Sequence, residues 1–179
     1  MQARVRLETP SWRRERSFLD AALRSRELHR GFVTAPGSSA EYRDYLRRTC
    51  RDEQESFFVV DSDSGALAGV VNINDIARSE EPCARLGYFA FVPLAGRGLM
   101  AEGLTLAIRF AFRELKLERL EANIQAHNCR SIALIEGLGF RHAGTAGYLK
   151  IGSRWRGHQR WTLRREEWYA GQSARPARV

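Results

Sequence analysis

Apolar and polar residues alternate in two different rhythms along this chain, and the rhythms predict its strands and helices. Short runs with a period of two, bounded by turn residues, predict strands. Apolar residues that return every three or four positions predict helices. The predicted strands are Ala3–Leu7, Ser56–Val60, Leu67–Ile76, Cys83–Val92, Arg119–Ile124, Phe140–Ile151 and Trp155–Arg164, and the predicted helices are Trp12–His29, Ser39–Arg51, Leu99–Leu115 and Asn128–Gly137.

The order of these elements predicts a fold of the α/β (α+β) kind. Hairpins at both ends favour a mixed, mostly antiparallel central sheet of about six or seven strands with helices on both faces. The strand–helix–strand piece at residues 84–124 predicts one parallel crossover. Neither a repeat nor an interdomain linker interrupts the pattern. Residues 1–170 are therefore expected to form one domain, and residues 171–179 a disordered tail.

Charge and composition narrow the class of protein. The formal net charge is +8 and comes almost entirely from arginine. Such a charge suits a CoA phosphate, an acidic protein or RNA, but arginines spread along a chain are equally typical of a solvated surface. No aromatic motif for single strands is visible, so nucleic acid is disfavoured as a partner. The chain lacks an apolar run of roughly 20 residues and a secretion signal, which predicts a cytoplasmic protein without a membrane partner.

Three scattered cysteines, Cys50, Cys83 and Cys129, have neither disulfide nor zinc-ligand spacing. The sequence therefore predicts no metal site.

A glycine pair lies where the strand Cys83–Val92 gives way to the helix Leu99–Leu115. Gly96 and Gly98 permit unusual dihedral angles, and the first N–H groups of a helix have no partner within it. With the helix dipole, these groups form a site for phosphate or pyrophosphate, to which Arg97 adds a charge-assisted contact. Taken alone, the motif could equally be a tight turn. It is neither a P-loop nor a dinucleotide-binding fingerprint.

Several motifs in one order give the chain a family resemblance. Residues 96–102, Gly-x-Gly-Leu-Met-x-Glu, resemble the coenzyme-binding motif of the GNAT acetyltransferases. Residues 127–132, His-Asn-x-x-Ser-Ile, and residues 138–140, Leu-Gly-Phe, resemble its RimJ/RimL-like branch, the ribosomal-protein-alanine/serine N-acetyltransferases and their relatives. Ala95 and Met100 depart from the usual residues of the motif, but main-chain groups are what bind the phosphates.

The resemblance implies a GNAT-like fold and an acyltransferase that carries the acetyl group of acetyl-CoA to a primary amine in a direct, ternary-complex transfer. The favoured acceptor is a protein N-terminal α-amine of the ribosomal-protein type. A small-molecule amine is one alternative, and a non-catalytic CoA-binding regulatory protein is another. Relatives are often dimers, which favours a homodimer. The residues implied in coenzyme binding are Phe91, Val92, Arg97, Gly98, Leu99, Met100, Ala101, Glu102 and Asn128.

The resemblance also implies how the end of the aromatic strand is used. In GNAT enzymes this strand separates from its neighbour, and the pantetheine arm pairs with it. A main-chain N–H near Phe91 and Val92 would then stabilise the developing oxyanion.

Two side chains are candidates for proton transfer. Glu121 shares the polar face of its strand with Asn123 and Gln125, and a polar face on a central strand suits a substrate cleft. Glu121 is the candidate base, and a salt bridge to a nearby arginine is the structural alternative. The resemblance implies Ser131 as the acid, although serine near a helix start is also a common cap. A water relay stays open, and His29 is expected to be structural.

Overall fold

Seven strands form a single sheet in the computed structural model of the chain, which describes residues 3–174. The strands are β1 (Val5–Glu8), β2 (Glu55–Asp61), β3 (Leu67–Ala77), β4 (Cys83–Ala90), β5 (Arg119–Ile124), β6 (Arg141–Ile151) and β7 (Arg154–Arg164). Their order across the sheet is β1-β2-β3-β4-β5-β7-β6, and each neighbouring pair is antiparallel except β4 and β5. The mixed, mostly antiparallel sheet with one parallel pair confirms the prediction.

Helices cover both faces of this sheet. They are α1 (Glu15–Arg24), α2 (Arg26–His29), α3 (Ser39–Thr49), α4 (Leu99–Arg113), α5 (Cys129–Gly137) and α6 (Arg165–Ala174), and a 3-10 turn at Trp12–Arg14 precedes α1. Strand side chains alternate between two cores. Val59 and Val71 belong to the core under α4 and α5, whereas Phe58 and Val70 belong to the core under α1 and α3. No helix within residues 3–174 is long and apolar enough to cross a membrane.

Helix α4 lies close against β2 because Gly103 has no side chain at the point of contact. A Cβ at this position would lie 2.5 Å from a methyl group of Val59. The buried side of α4, from Leu99 to Phe112, is the one that the period of its apolar residues predicts. Burial of that side fixes the helix over β1, β2 and β3, and thereby fixes where its first turn lies.

Two helices differ from what the sequence predicts. The segment Trp12–His29 is not one helix, because the chain breaks at Ser25 between α1 and α2. Helix α6 lies in a region that sequence analysis left largely unassigned, and Trp168 anchors it in the larger core. Residues 171–174 of the predicted tail therefore belong to a helix, and residues 175–179 lie outside the described part of the chain.

Candidate active site

Strands β4 and β5 separate soon after they meet and leave a gap in the sheet. The ladder between them has three residue pairs and ends at Arg85 and Glu121. Beyond that point β4 still pairs with β3, and β5 still pairs with β7. Main-chain groups on the facing edges of β4 and β5 are therefore left without ladder partners. This is the separation that the family resemblance implies.

The alternation of the β4 main chain decides which of its groups face the gap. The N–H of Phe91 donates to the C=O of Ala68 on β3 at 2.8 Å. The N–H and C=O of one residue point to the same side of a strand, and those of its neighbour point to the other side. The main-chain groups of Tyr88 and Ala90 therefore point into the gap. Of the two amides expected to serve the coenzyme, that of Phe91 is committed to the sheet.

Two side chains from the break between α1 and α2 engage further groups at this strand end. The N–H of Val92 donates to Ser25 Oγ at 3.0 Å, so the second expected amide is engaged as well. His29 Nε2 donates to the C=O of Ala90 at 2.8 Å. His29 is buried against the ring of Phe89, and burial lowers its pKa. By the alternation of the strand, the N–H of Ala90 points into the gap, beyond the end of the β4–β5 ladder.

The glycine pair turns the chain from β4 into α4. Gly96 and Gly98 have φ angles of 82° and 81°, in the left-handed region that favours glycine. The N–H groups of Ala101 and Glu102 donate back to the C=O of Gly98 at 3.1 and 3.3 Å. The N–H groups of residues 96–100 find no acceptor among the described residues. They form a row of donors at the positive end of the α4 dipole, which suits a pyrophosphate.

Arg4 reaches this loop from the residue before β1. Its guanidinium forms an ion pair with Glu102, with Nε at 2.7 Å from the carboxylate, and its Nη1 donates to the C=O of Arg97 at 3.4 Å. The hydrogen bond to Glu102 raises the pKa of Arg4. Glu102 thus holds Arg4, whereas the exposed side chain of Arg97 forms no ion pair with a described residue. The side chains of Leu99 and Met100 are buried in the core, so these residues can offer a ligand only their main-chain N–H groups.

Helix α5 begins beside the gap at the expected cap. Asn128 Oδ1 accepts from the N–H of Ser131 at 3.3 Å. The Ser131 hydroxyl donates to Tyr88 Oη at 2.6 Å, and the Tyr88 hydroxyl donates to the C=O of Ser131 at 3.0 Å. Burial raises the pKa of Tyr88, which keeps the phenol protonated. The candidate acid is therefore close to the gap but already has a partner on β4.

The candidate base lies where the gap begins. Glu121 Oε1 is 2.8 Å from Arg119 Nη1, so the ion pair considered as a structural alternative is present. Two residues on, Asn123 Oδ1 is buried and has no partner among the described residues. Gln125 donates to the C=O of Gly31 at 2.7 Å, which ties the segment after α2 to the end of β5.

A polar cleft lies on the same face of the sheet as the Glu121 side chain. Asn74 on β3 is opposite Arg85, and Arg85 is opposite Glu121, so these side chains share one face. The cleft has a volume of about 620 Å³ and includes Asn74, Asn72 and Tyr45. The Tyr45 hydroxyl donates to Asn72 Oδ1 at 3.2 Å. Helix α5 thus lies beside the gap on one face of the sheet, and the polar cleft lies on the other face over the neighbouring strand β3, beside α3.

Four residues at this site were not singled out by sequence analysis for the contacts they make. Ser25, His29, Tyr88 and Arg4 all act through contacts between elements distant in the chain. A serine four residues before a histidine places both on one side of a helix, and this was the only local signal. Serines and histidines at that spacing are too common for the signal to identify a site.

Comparison with known proteins decides the family. A family model described as the Acetyltransferase (GNAT) domain matches residues 4–141. The chain belongs to the GNAT acetyltransferases. It is therefore an acyltransferase that uses acetyl-CoA, and the unsatisfied amides of residues 96–100 and the gap beside β4 fit that coenzyme. Among residues 3–174, no group of three or more His, Cys, Asp or Glu side chains could hold a metal ion.

Curated relatives place the chain near the predicted branch. A probable N-acetyltransferase YjcK of Bacillus subtilis is 33% identical over 129 residues, 72% of this chain and 71% of that protein. The ribosomal protein uS5-alanine N-acetyltransferase of Escherichia coli is 37% identical over 116 residues, 64% of this chain and 60% of that protein. The second alignment thus spans less than two thirds of the relative's length. The matches confirm the predicted resemblance to the RimJ/RimL-like branch.

Solved structures share the fold. The ribosomal-protein-S5-alanine acetyltransferase from Vibrio fischeri superimposes with a TM-score of 0.80 at 20% identity, over 94% of this chain and 97% of that one. The spermidine N-acetyltransferase from Vibrio cholerae in complex with CoA and spermine gives a TM-score of 0.78 at 16% identity, over 94% and 99%. At such identities the likeness concerns the fold alone, and the two proteins act on different amines.

Proposed function

We propose that this GNAT enzyme acetylates a protein N-terminal α-amine by direct attack on acetyl-CoA in a ternary complex. One observation carries the proposal: α5 lies beside the gap between β4 and β5 on one face of the sheet, and a polar cleft lies over the adjacent strand β3 on the other face. Coenzyme and acceptor can therefore meet in the gap from opposite faces. No intermediate acetyl-enzyme is needed when both reactants can be held together.

The chain's own groups would hold the coenzyme in three places. The amides of residues 96–100 and the exposed Arg97 side chain would receive the pyrophosphate. The gap-facing main chain of Tyr88 would pair with the pantetheine arm, assisted by Asn128 at the start of α5. When bound, acetyl-CoA supplies an acetyl thioester that an amine can attack.

The transfer forms one bond and breaks one. The amine nitrogen bonds to the acetyl carbon, the carbon–sulfur bond breaks, and the nitrogen loses a proton while the sulfur gains one. We assign removal of the proton to Glu121, directly or through water, and its return to sulfur to Ser131. The ion pair with Arg119 keeps Glu121 at the mouth of the gap.

Two considerations favour an α-amine over a polyamine. An N-terminal α-amine has an ordinary pKa of about 8 and is partly neutral near pH 7, so a modest base suffices. The net charge of +8 opposes the approach of a polycation. The structural likeness to a spermidine N-acetyltransferase keeps a small-molecule amine as the second candidate.

The test is thiol release from acetyl-CoA with four kinds of acceptor. These are peptides with N-terminal alanine or serine, the same peptides with a blocked α-amine and one internal lysine, spermidine, and a panel of small amines. We expect turnover with the free α-amine peptides alone and an acetyl group on their first residue by fragmentation mass spectrometry. Turnover confined to spermidine or small amines would show that the acceptor is a small-molecule amine and not a protein N-terminus. CoA uptake without turnover of any amine would favour a regulatory protein.

Two coarser predictions accompany this proposal. The resemblance favours a homodimer, which light scattering on the pure protein would test. A cytoplasmic location stays a prediction, and fractionation of cells that produce the protein would test it.

A further inference from the structure

The break between α1 and α2 places two side chains on the end of β4. Ser25 is fully buried, and its hydroxyl donates to the C=O of Ala21 at 2.7 Å while it accepts from the N–H of Val92 at 3.0 Å. His29 lies one helical turn later and donates from Nε2 to the C=O of Ala90 at 2.8 Å. Both contacts bridge more than 60 residues of chain, since the separations are 67 and 61 positions.

These contacts leave one donor free at the strand end. The N–H of Phe91 is bonded to β3, the N–H of Val92 to Ser25, and the C=O of Ala90 to His29. The remaining N–H of Ala90 points into the gap. Its direction is fixed because the following peptide group is held at both its C=O and its N–H, and because Phe89 on the other side pairs with Val70 of β3.

We infer that Ser25 and His29 are positioning residues that fix the end of β4 so that the Ala90 N–H donates to the developing oxyanion. The inference rests on the proposed function and assigns the donor within the same site. Donors aimed in advance at a developing charge are effective because nothing must reorganise during the reaction. A loosely held strand end would lose that advantage while still binding the coenzyme at the distant amides of residues 96–100.

The hydrogen bonding of His29 argues for positioning rather than for proton transfer. A carbonyl oxygen can only accept, so the nitrogen that contacts Ala90 must carry the proton. The ring is held against the rings of Phe89 and Phe91, with centroids 5.2 and 5.9 Å away. A side chain that supplies the same N–H without titrating should therefore replace it.

The test compares His29→Phe with His29→Gln, which can present an N–H at the place of Nε2. We expect His29→Phe to lower kcat by about 10- to 100-fold, less than the roughly 10²- to 10³-fold loss of an oxyanion donor itself. The Kd of CoA by calorimetry should change less than about twofold, because the pyrophosphate amides are untouched. His29→Gln should restore most of kcat with an unchanged pH profile. The matched control is His142→Phe, at an exposed ring on β6.

Ser25→Ala supplies a second measurement that does not depend on turnover. It leaves the N–H of Val92 without an acceptor, so amide hydrogen exchange at Val92 should accelerate by at least about tenfold. Ser17→Ala is the control, because the exposed Ser17 hydroxyl bonds only the nearby C=O of Arg14. Exchange at Val92 should then be unchanged.

The outcomes separate the two claims. A wild-type protein that binds CoA but acetylates no amine defeats the proposed function, whatever the variants do. An active wild type with full kcat in both His29→Phe and Ser25→Ala defeats the positioning role alone. Loss of kcat in His29→Gln together with loss of one ionisation from the kcat/KM profile also defeats it, because His29 would then be the proton acceptor.

Discussion

Ser131 on α5 and Tyr88 on β4 are joined by two hydrogen bonds of opposite direction, one through the Ser131 hydroxyl and one through its main-chain carbonyl. Ser131 donates to Tyr88 Oη at 2.6 Å, and Tyr88 donates to the C=O of Ser131 at 3.0 Å. Ser131 can donate to a departing thiolate only if its hydroxyl turns away from Tyr88. The phenol is then the group that holds the Ser131 side chain within reach of the departing thiolate. The effects of the two residues on kcat should therefore be coupled.

Replacement of Tyr88 by Phe tests that coupling. We expect Tyr88→Phe and Ser131→Ala each to lower kcat, and the double variant to lose less than the product of the single losses, because groups in one network are not additive. The measurement is a double-mutant cycle on kcat with saturating acetyl-CoA. Tyr148→Phe is the control, since that side chain is 73% exposed. Independent, multiplicative losses would contradict a shared role.

A second prediction concerns the loop that receives the pyrophosphate. Arg4→Ala removes both the ion pair with Glu102 and the contact with the C=O of Arg97. We expect the KM for acetyl-CoA to rise by roughly two- to fivefold with kcat unchanged, the modest effect of an exposed ion pair. Arg6→Ala, also exposed and two residues further along in β1, is the control. Added salt should shrink the difference between the two variants, and a fall in kcat instead would place Arg4 elsewhere in the mechanism.

The sequence predicts what depends on periodicity and misses what depends on single contacts. The stripe from Leu99 to Phe112 predicts the buried side of α4, because a period near four selects one side of a helix. The break at Ser25 is absent from that pattern, and so is the contact of its hydroxyl with an amide 67 positions away. Alternation assigns Tyr88 to a face of the sheet, but it does not say which hydroxyl its phenol meets.

The candidate site divides in the same way. The glycine loop could be located from residues 96–102, since the turn and the helix start are local. The separation of β4 from β5 came from family resemblance, because no local pattern tells where a ladder ends. Helix α6 was missed because Trp168 is the one buried side chain among residues 165–172, and a single apolar residue has no period.

A third prediction links the burial of His29 to stability. Burial lowers the pKa of His29 in the folded protein, so the unfolded chain takes up the proton more readily. The contribution of neutral, buried His29 to the free energy of unfolding is therefore complete above the ordinary pKa of about 6.5. It is lost as the pH falls toward the lowered pKa of the folded protein. Urea unfolding of the wild type and His29→Gln between about pH 8 and pH 5.5 measures it. The free energy of unfolding should fall more steeply in the wild type, and equal slopes would contradict the prediction.

The last prediction concerns the contact that seats α4 on the sheet. Gly103→Ala places a Cβ 2.5 Å from a methyl group of Val59, which belongs to a stiff, β-branched side chain on a central strand. The helix must lift or β2 must shift, and overpacking of this kind costs about 1–3 kcal/mol. Urea unfolding should show that loss, and calorimetry should show weaker binding of CoA, because the first turn of α4 moves with the helix.

Gly137→Ala is the matched control at the end of α5, where an added Cβ would have no atom within 4 Å. The same change there should be neutral or stabilise the protein by roughly 0.5–1 kcal/mol, as expected for glycine to alanine in a helix. If Gly103→Ala instead has the same free energy of unfolding and the same affinity for CoA as the wild type, the position of the pyrophosphate amides does not depend on how closely α4 approaches β2. The row of donors would then be set by the turn at Gly96 and Gly98 alone.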